Sequence, residues 1–382
     1  MRRIAVLTSG RQDWGILRST CLALTDRPEV RLDLLVGGMH LSRRFGATLS
    51  FIEADGFRPA ATLDWLAPER EGRSVTEETA RALDLIGSAL ESSIPDALVI
   101  VGDRSETAAA ALAATVLRIP IAHIHGGEET LGAFDNAIRH AITKLAHLHL
   151  VSSHAHGQRV RALGEAPEAI HVVGAPGLDN LFRSDLADRA ELEATLGLEL
   201  RAPVIVVTVH PATLDSDPSA VAACVAEAMT RVAATYVVTL PNVDPGGQRV
   251  RRLLRRAAQM ADGIAVEALG ERRYWGLLRI ADAMLGNSSS GLIEAPALGL
   301  PVVNVGDRQA GRSHGATVVD VPLDAKEIAT ALAAVLDRIQ VSGQLRTMPP
   351  GIDGRIGERI ADILVAWDPG FPPRKAAIVV PS

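Results

Sequence analysis

Short apolar runs alternate with longer helix-like segments along this chain, and the alternation occurs in two successive series. Runs of this length and composition are typical of strands that are buried on both faces of a parallel sheet. Strands separated by helices are the pattern of βαβ units, which favours a doubly wound α/β fold. The first series comprises Ile4–Leu7, Leu32–Val36, Ala97–Val101, Pro120–Ile124 and Leu148–Val151, with helices predicted over Ile16–Leu24, Ser74–Glu91 and Glu106–Leu117.

The second series begins after a polar, helix-like stretch at 185–200 and comprises Val204–Thr208, Tyr236–Leu240, Ile264–Val266, Ala283–Leu285, Pro301–Asn304 and Thr317–Asp320. We therefore predict two Rossmann-like domains facing a cleft, the first over 1–178 and the second over 179–353. An amphipathic stretch, Gly354–Trp367, predicts a helix over 354–368 that crosses back to the first domain. Four prolines in residues 369–382 indicate a tail.

Length and composition exclude several classes of protein. A chain of 382 residues suits two domains, and 45 acidic against 39 basic residues give a net charge of −6, which disfavours binding to nucleic acid or to anionic membranes. No apolar run is long enough for a membrane span, and the run behind Met1-Arg2-Arg3 is too short for a secretory signal. Two cysteines, Cys21 and Cys224, are too few for a disulfide framework. We expect a cytoplasmic protein.

Two nucleotide-binding motifs are missing. None of the three lysines follows a glycine, so the sequence has no GK[ST] phosphate loop, and it has no GxGxxG motif. We therefore expect no nicotinamide cofactor. Histidines pair at 123/125, 147/149 and 154/156, but without cysteine support or an HExxH motif we favour core or hydrogen-bonding histidines over a metal site.

Polar and glycine-rich stretches follow the predicted strands, where ligands of open α/β sheets bind. The turn Thr8–Gly15 enters a helix and carries Arg11, which suits a phosphate, although a plain strand-to-helix turn has the same features. Gly102–Glu106 places Asp103 beside Arg104 and suits either catalysis or a helix N-cap. In His123–His140, the titratable residues His125, Glu128 and Asp135 favour acid/base chemistry, while Asp135 and Arg139 also have the spacing of a helix ion pair.

The second series has its own polar strand ends. His210 follows one strand, and Asn242 lies in a glycine-rich stretch after the next. Gly286–Pro296 contains three serines that are predicted to open a helix, an arrangement that suits a diphosphate, and Glu294 can accept a hydrogen bond from a ribose. Arg308 and Arg312 follow the next strand.

Taken together, these segments resemble hydrolysing UDP-N-acetylglucosamine 2-epimerases, which supply N-acetylmannosamine for bacterial sialic acid synthesis. The agreement runs in order from residue 3 to about residue 366. The matching stretches are Arg11–Gly15, Gly38–His40, Gly102–Arg104, His123–Glu128, Asp135–His140, Ile142–Lys144, His210–Pro211, Gly286–Glu294 and Gly306–Gln309.

The resemblance implies a GT-B-like fold with the UDP-sugar in the cleft, and a homodimer or homotetramer. The implied reaction converts UDP-N-acetylglucosamine and water into N-acetylmannosamine and UDP through 2-acetamidoglucal, without metal or cofactor. The implied catalytic residues are Asp103, Asp135, Glu128, His125 and His210. The implied substrate- or UDP-binding residues are Arg11, Gly15, His40, Arg104, Asn242, Ser288, Ser289, Ser290, Glu294 and Arg308.

Three features depart from the family pattern, and one of them is Ser9-Gly10, which stands where Gly-Thr is common. His125 stands where some members have a catalytic glutamate, so either His125 or Glu128 supplies the acid. Trp14 replaces the more usual tyrosine, which points to a change in the uracil or acyl pocket. The alternatives are the same chemistry on UDP-2,4-diacetamido-trideoxyhexose, the non-hydrolysing relative that returns UDP-N-acetylmannosamine, and a GT-B glycosyltransferase.

Overall fold

The computed structural model describes residues 1–66, 75–212, 214, 216–241, 246–312, 314–342, 352–370 and 373–375. The strands are β1 (Arg2–Thr8), β2 (Val30–Gly37), β3 (Ala61–Leu63), β4 (Ala97–Val101), β5 (Ile121–Ile124), β6 (Leu148–Val151), β7 (Ile170–Val172), β8 (Val204–Thr208), β9 (Thr235–Thr239), β10 (Gly263–Val266), β11 (Ala283–Gly286), β12 (Val302–Val305) and β13 (Val318–Val321).

The helices are α1 (Arg11–Thr25), α2 (Leu49–Ala54), α3 (Val75–Ser93), α4 (Ser105–Val116), α5 (Asp135–Leu145), α6 (His154–Ala162), α7 (Arg189–Leu196), α8 (Ala220–Met229), α9 (Gly247–Met260), α10 (Gly270–Ile280), α11 (Glu294–Ala297), α12 (Ala325–Ser342) and α13 (Ile356–Ala366). Ser74, the predicted start of the helix that forms α3, lies outside the described residues. Across the described ranges, every helix is too short or too polar to cross a lipid bilayer.

The chain divides into two compact units. Unit 1 contains Met1–Glu128, Asp135–Asp179 and Asp353–Ser382, and unit 2 contains Glu129–Phe134 and Asn180–Ile352. The predicted domain division therefore differs from the structure at Glu129–Phe134, which the prediction assigns to the first domain and the structure to unit 2. Its backbone and side-chain partners lie in the loop that follows β12.

Unit 1 is built on a parallel sheet with the order β3-β2-β1-β4-β5-β6-β7 among the described strands. All five predicted strands of the first series are present. The two strands that sequence patterns missed, β3 and β7, have three residues each and lie at the sheet edges. An edge strand has only one neighbour and does not need a long apolar run.

The core of unit 1 lies on both faces of this sheet. On one face Leu17 and Leu24 of α1 pack with Ile360 and Leu364 of α13, and α3 and α4 cover the other face. The carboxylate of Asp179 accepts hydrogen bonds from the first two N–H groups of α13, at 3.1 and 2.7 Å. These bonds satisfy donors that have no partner within a helix.

Unit 2 repeats the arrangement with the strand order β10-β9-β8-β11-β12-β13, again with parallel pairing. Every strand of the predicted second series is present, with ends shifted by at most one residue. Helices α8, α9 and α12 cover one face of the sheet, and α7 and α10 cover the other.

Strand order reverses between β1 and β4 in unit 1 and between β8 and β11 in unit 2. Ligands of open α/β sheets bind at the carboxyl ends of the strands at such switch points. The fold therefore directs attention to the loops after β1 and β4 and to the loops after β8 and β11.

Candidate active site

The turn after β1 is organised by a buried acid. Asp13, in the first turn of α1, accepts hydrogen bonds from the backbone N–H and the hydroxyl of Ser9, at 2.8 and 2.6 Å. Burial raises the pKa of Asp13 to about 6, in spite of these two bonds and with a further contribution from the charge of Glu106. Arg11, the first residue of α1, is half-buried at this turn.

Two threonine hydroxyls hold the His40 ring inside unit 1. Its ring is fully buried, with Nε2 lying 2.8 Å from the Thr8 hydroxyl and Nδ1 lying 2.7 Å from the Thr48 hydroxyl. Burial lowers the pKa of His40 to about 3, so the ring is neutral. Both ring nitrogens contact threonine hydroxyls inside the protein, and the assignment of His40 to substrate binding stays a prediction.

Trp14, which departs from the family pattern, also points inward. Its indole N–H donates to Asp55 at 2.8 Å, and its ring packs edge-on against Phe57. Trp14 belongs to the hydrophobic core, which removes the expectation that it reshapes a ligand pocket. Gly15 is buried in α1 beside it.

The loop after β4 carries Asp103 and Arg104, and neighbouring elements fix it at three points. Arg139 of α5 donates to the Asp103 carboxylate. Arg104 Nε donates to Glu106 at 2.7 Å. His123 of β5, whose pKa burial lowers to about 3, donates from Nε2 to the Gly102 carbonyl at 2.7 Å. Asp103 thus has a defined partner on α5, and Arg104 has one on α4.

The loop after β5 contains a buried histidine–glutamate pair. His125 Nδ1 contacts Glu128 Oε1, and the two residues are 7% and 4% exposed. A carboxylate oxygen only accepts, so Nδ1 carries the hydrogen and Nε2 is the ring atom left for chemistry. His125 has φ +65°, a left-handed conformation that is uncommon for a residue with a side chain and is concentrated at functional sites.

The two glycines between His125 and Glu128 serve packing rather than ligand approach. A Cβ on Gly126 would lie 3.1 Å from the His123 ring, and one on Gly127 would lie 2.4 Å from the carbonyl oxygen of His156. Gly127 also has φ +76°, which favours glycine. Among the described residues, no cluster of three or more His, Cys, Asp or Glu side chains has the arrangement of a metal site.

Asp135 is the first residue of α5, and Arg139 is one turn later on the same helix. Because Arg139 donates to Asp103, it links Asp103 to the helix that begins with Asp135. Sequence reasoning treated Arg139 only as a helix partner of Asp135. Its tertiary partner lies 36 residues earlier in the chain, where no local spacing reveals it.

In unit 2 a buried amide connects three strand ends. Asn287, directly after β11, accepts from the His210 N–H at 2.7 Å and donates to the His210 carbonyl at 2.9 Å. Its own carbonyl accepts from Arg308 at 3.2 Å and from Gln309 at 2.9 Å. Asn287 therefore positions His210 and Arg308 relative to each other. The sequence motifs contained Asn287 and Gln309, but nothing in their spacing singled them out.

The serine run differs from the predicted helix start. A short 3-10 turn covers Ser289–Gly291, and α11 follows as only four residues. Pro296 has no N–H to bond to the Leu292 carbonyl, which prevents one continuous helix from the serines onward, and Gly299 with φ +63° follows the end of α11. Ser288 caps the turn by accepting from the Ser290 N–H at 3.3 Å, and the Ser290 hydroxyl bonds to Tyr274 at 2.6 Å.

Three further residues predicted to bind the substrate are Glu294, Arg308 and Asn242. Glu294 opens α11, and Arg308 is half-buried in the loop after β12. Asn242 lies outside the described residues. A four-residue helix has only a small dipole, so α11 by itself contributes little to anion binding at this strand end.

The segment Glu129–Phe134 packs on the loop that carries Arg308. Arg312 donates from Nε to the Glu129 carbonyl at 2.8 Å, and the Leu131 N–H donates to the Ala310 carbonyl at 3.3 Å. A Cβ on Gly132 would lie 2.6 Å from the Arg308 Cα. The position of Arg308 thus depends on a glycine at 132.

The sequence model of the UDP-N-acetylglucosamine 2-epimerase family matches residues 22–365. The chain belongs to this family. Two relatives, each 33% identical, are the Escherichia coli polysialic acid biosynthesis protein P7 and a Legionella pneumophila UDP-N,N'-diacetylbacillosamine 2-epimerase (hydrolyzing). The first alignment covers 86% of this chain and 84% of the relative, and the second covers 89% and 90%.

The fold agrees with that of solved members of the family. The crystal structure of UDP-GlcNAc 2-epimerase from Neisseria meningitidis bound to UDP-GlcNAc matches with a TM-score of 0.78 and 16% identity, and the match covers 96% of this chain and 100% of that one. The chain is therefore an enzyme of the 2-epimerase family with a GT-B-like fold, which confirms the predicted fold class.

Proposed function

We propose that this enzyme is a hydrolysing sugar-nucleotide 2-epimerase that converts UDP-N-acetylglucosamine and water into N-acetylmannosamine and UDP. The observation that carries the proposal is the His125–Glu128 pair, buried in the same unit as the Arg139-bound Asp103 and as Asp135. Epimerisation at C2 needs acid/base groups on both faces of the sugar. His210, Ser288 and Arg308 in unit 2 supply the polar groups expected for a diphosphate.

The first step is elimination. The C2 hydrogen is not acidic while the anomeric bond to UDP is intact, because no carbonyl group adjoins it. As the C1–O bond breaks, its electron pair leaves with UDP and C1 becomes electron-poor, so that a carboxylate can remove the C2 proton. The C2–H electrons then form the double bond of 2-acetamidoglucal. Hydrogen-bond donors and cations that hold the diphosphate stabilise the charge that develops on UDP.

The second step is hydration. Water adds its oxygen to C1 and loses a proton, and a proton is added to C2 on the face opposite to the one it left. The product is N-acetylmannosamine. We assign the removal of the proton to a carboxylate of the Asp103 and Asp135 set, and the opposite face to His125 Nε2. Glu128 acts on His125 rather than on the sugar, because it accepts the Nδ1–H.

A second substrate has specific support. The Legionella pneumophila relative named UDP-N,N'-diacetylbacillosamine 2-epimerase (hydrolyzing) is 33% identical over nearly the whole chain. The two-step chemistry applies to that sugar without change, because C1 and C2 carry the same groups. A role in sialic acid or related synthesis, a cytoplasmic location and a homodimer or homotetramer stay predictions.

NMR in D2O tests the proposal. The purified enzyme is incubated with UDP-N-acetylglucosamine, and in parallel with UDP-N,N'-diacetylbacillosamine, while phosphorus and proton spectra are recorded. We expect equal rates of release of UDP and of free sugar, with deuterium at C2 of the product. Accumulation of UDP-N-acetylmannosamine would indicate the non-hydrolysing reaction. A product without deuterium, or a need for a sugar acceptor, would exclude the elimination mechanism.

A further inference from the structure

A chain of hydrogen bonds extends beyond the His125–Glu128 pair within unit 1. The Ser152 hydroxyl donates to Glu128 Oε1 at 2.9 Å, and His156 Nδ1 lies 2.8 Å from the same hydroxyl. Ser152 follows β6 directly, and His156 is in the first turn of α6. The sequence motifs did not single out Ser152, they included His156 only in a histidine pair, and neither residue has a role in the two-step reaction described above.

The direction of each bond in this chain is fixed by its atoms. A serine hydroxyl has one hydrogen, and here that hydrogen goes to the carboxylate of Glu128. The bond to His156 must therefore run from an Nδ1–H to the Ser152 oxygen. The result is an ordered series in which His156 donates to Ser152, Ser152 donates to Glu128, and His125 donates to Glu128 from the other side.

Helix α6 contacts the loop after β5 at two adjacent residues, Gly127 and Glu128. Arg159 of α6 donates to the Gly127 carbonyl, while His156 of the same helix reaches Glu128 through Ser152. Ser153 caps α6 by accepting from the His156 N–H at 3.2 Å, which fixes the backbone from which the His156 ring projects. His125 keeps its left-handed backbone next to this restrained loop.

We propose that Ser152 and His156 are positioning residues of the acid/base machinery, in which they orient the Glu128 carboxylate so that His125 keeps its hydrogen on Nδ1 and presents Nε2 to the sugar. The proposal rests on the function proposed above. Loss of either donor weakens the hydrogen-bond chain that orients the Glu128 carboxylate, and the His125 ring then divides between its two tautomers. Groups of this kind act through another residue and are held in the productive geometry by their own partners.

Matched variants test the proposal by steady-state kinetics. We expect Ser152→Ala and His156→Leu each to lower kcat by about tenfold or more, with KM and UDP affinity within about twofold and Tm little changed. His156→Asn and Ser152→Thr each keep a donor at the required place, since the asparagine amide N–H lies near the position of Nδ1, and both should recover most of kcat. The control is His154→Leu, an exposed histidine of the same helix, which should match the parent enzyme.

Two kinetic outcomes would overturn the proposal. Full activity in both Ser152→Ala and His156→Leu would remove the two residues from the machinery. A His156→Asn variant as impaired as His156→Leu would show that the ring must gain and lose a proton, which is a different role from positioning.

A second measurement does not depend on activity. Nitrogen-15 NMR of labelled histidine reports which ring nitrogen of His125 carries the hydrogen. We expect the Nδ1–H tautomer in the parent protein and a mixture in Ser152→Ala and His156→Leu. An unchanged tautomer in both variants would contradict the positioning role. If the parent enzyme turns over neither sugar nucleotide while the tautomer still responds, the proposed reaction fails and the hydrogen-bond chain stands.

Discussion

Two buried acids in unit 1 show how neighbouring groups raise or lower the pKa of a carboxyl group. Asp13 and Glu106 are both buried near the carboxyl ends of β1 and β4. Burial raises the pKa of Asp13. Burial acts in the same direction on Glu106, but the adjacent Arg104 guanidinium, together with hydrogen bonds from the backbone and Ser9, holds the pKa of Glu106 below its usual value. The difference lies in the partner, because Asp13 has only neutral hydrogen-bond donors from Ser9 in direct contact.

The raised pKa of Asp13 predicts a pH dependence of stability. In the folded protein its pKa is about 6, against 3.8 for an unperturbed aspartate, so the folded state binds more protons between these values. The free energy of unfolding should therefore fall as pH rises from about 4 to about 6, by at most about 3 kcal/mol from this group. Asp13→Asn should remove this component, because an amide oxygen can still accept from Ser9 without a charge.

Urea denaturation at pH 4.5 and pH 7 measures this effect in the parent and in Asp13→Asn. Asp26→Asn, at the exposed end of α1, is the control for a carboxylate without burial. Equal pH dependence in the parent and Asp13→Asn would contradict the assignment.

The catalytic carboxylates give a second prediction at this scale. Asp103→Asn and Asp135→Asn should each lower kcat by about 10²-fold or more, because an amide cannot accept a proton from C2. UDP affinity should stay close to that of the parent, since the proposed phosphate contacts His210, Ser288 and Arg308 are unchanged. Turnover by NMR and UDP binding by calorimetry separate the two effects. Full turnover in either variant would remove that residue from the catalytic set.

The limits of sequence reasoning are clearest for individual side chains. The rule that ligands bind at carboxyl ends of parallel strands led to Asp103, His125 and Glu128 without knowledge of the fold in detail. His40 was proposed from the family resemblance instead, and only the tertiary structure shows its Thr8 and Thr48 partners. Ser152 is 24 residues from its partner Glu128, and Asn287 is 77 residues from His210. Such pairs depend on topology rather than on local spacing.

At the scale of elements, the apolar runs predicted strands well, because a strand that is buried on both faces of a sheet needs a continuous apolar run. The same sequence patterns do not predict elements that are short and irregular. The serine run was predicted as one helix, but Pro296 prevents one continuous helix, and the structure has a 3-10 turn and a four-residue helix. The segment Glu129–Phe134 was counted with its sequence neighbours, although its bonds are to the loop after β12.

The packing of that segment predicts the effect of Gly132→Ala. The added Cβ would lie 2.6 Å from the Arg308 Cα and 2.9 Å from the Asp307 carbonyl oxygen, and both of these are backbone atoms. The loop must shift, and Arg308 must move with it. We expect UDP affinity to fall by about tenfold, which corresponds to the loss of one good charge-assisted contact.

Calorimetric titration with UDP measures this change. Gly315→Ala is the matched control, because a Cβ there has no heavy atom within 4 Å. Unchanged UDP affinity in Gly132→Ala would show that Arg308 does not hold the nucleotide or that the loop yields without moving it.

At the scale of the whole molecule, residues from opposite ends of the chain complete one unit. The Arg2 side chain donates to the carbonyls of Leu364 and Val365 at 2.9 and 3.2 Å, and α13 packs along α1. Gly357 packs against the α1 backbone at Ser19. The amphipathic pattern of Gly354–Trp367 predicts a helix with one buried face, but it does not reveal that Gly357 meets the backbone at Ser19.

This contact predicts opposite outcomes for two helical glycines. A Cβ at position 357 would lie 2.4 Å from the carbonyl carbon of Ser19 and 2.6 Å from its oxygen, so Gly357→Ala must push α13 away from α1. We expect it to lower the free energy of unfolding by about 1–3 kcal/mol. Gly87→Ala in α3 has its nearest neighbour at 3.9 Å, and the better helix propensity of alanine should raise stability by up to about 1 kcal/mol. Urea denaturation followed by circular dichroism compares the two variants, and a Gly357→Ala protein as stable as Gly87→Ala would contradict the close packing of α13 on α1.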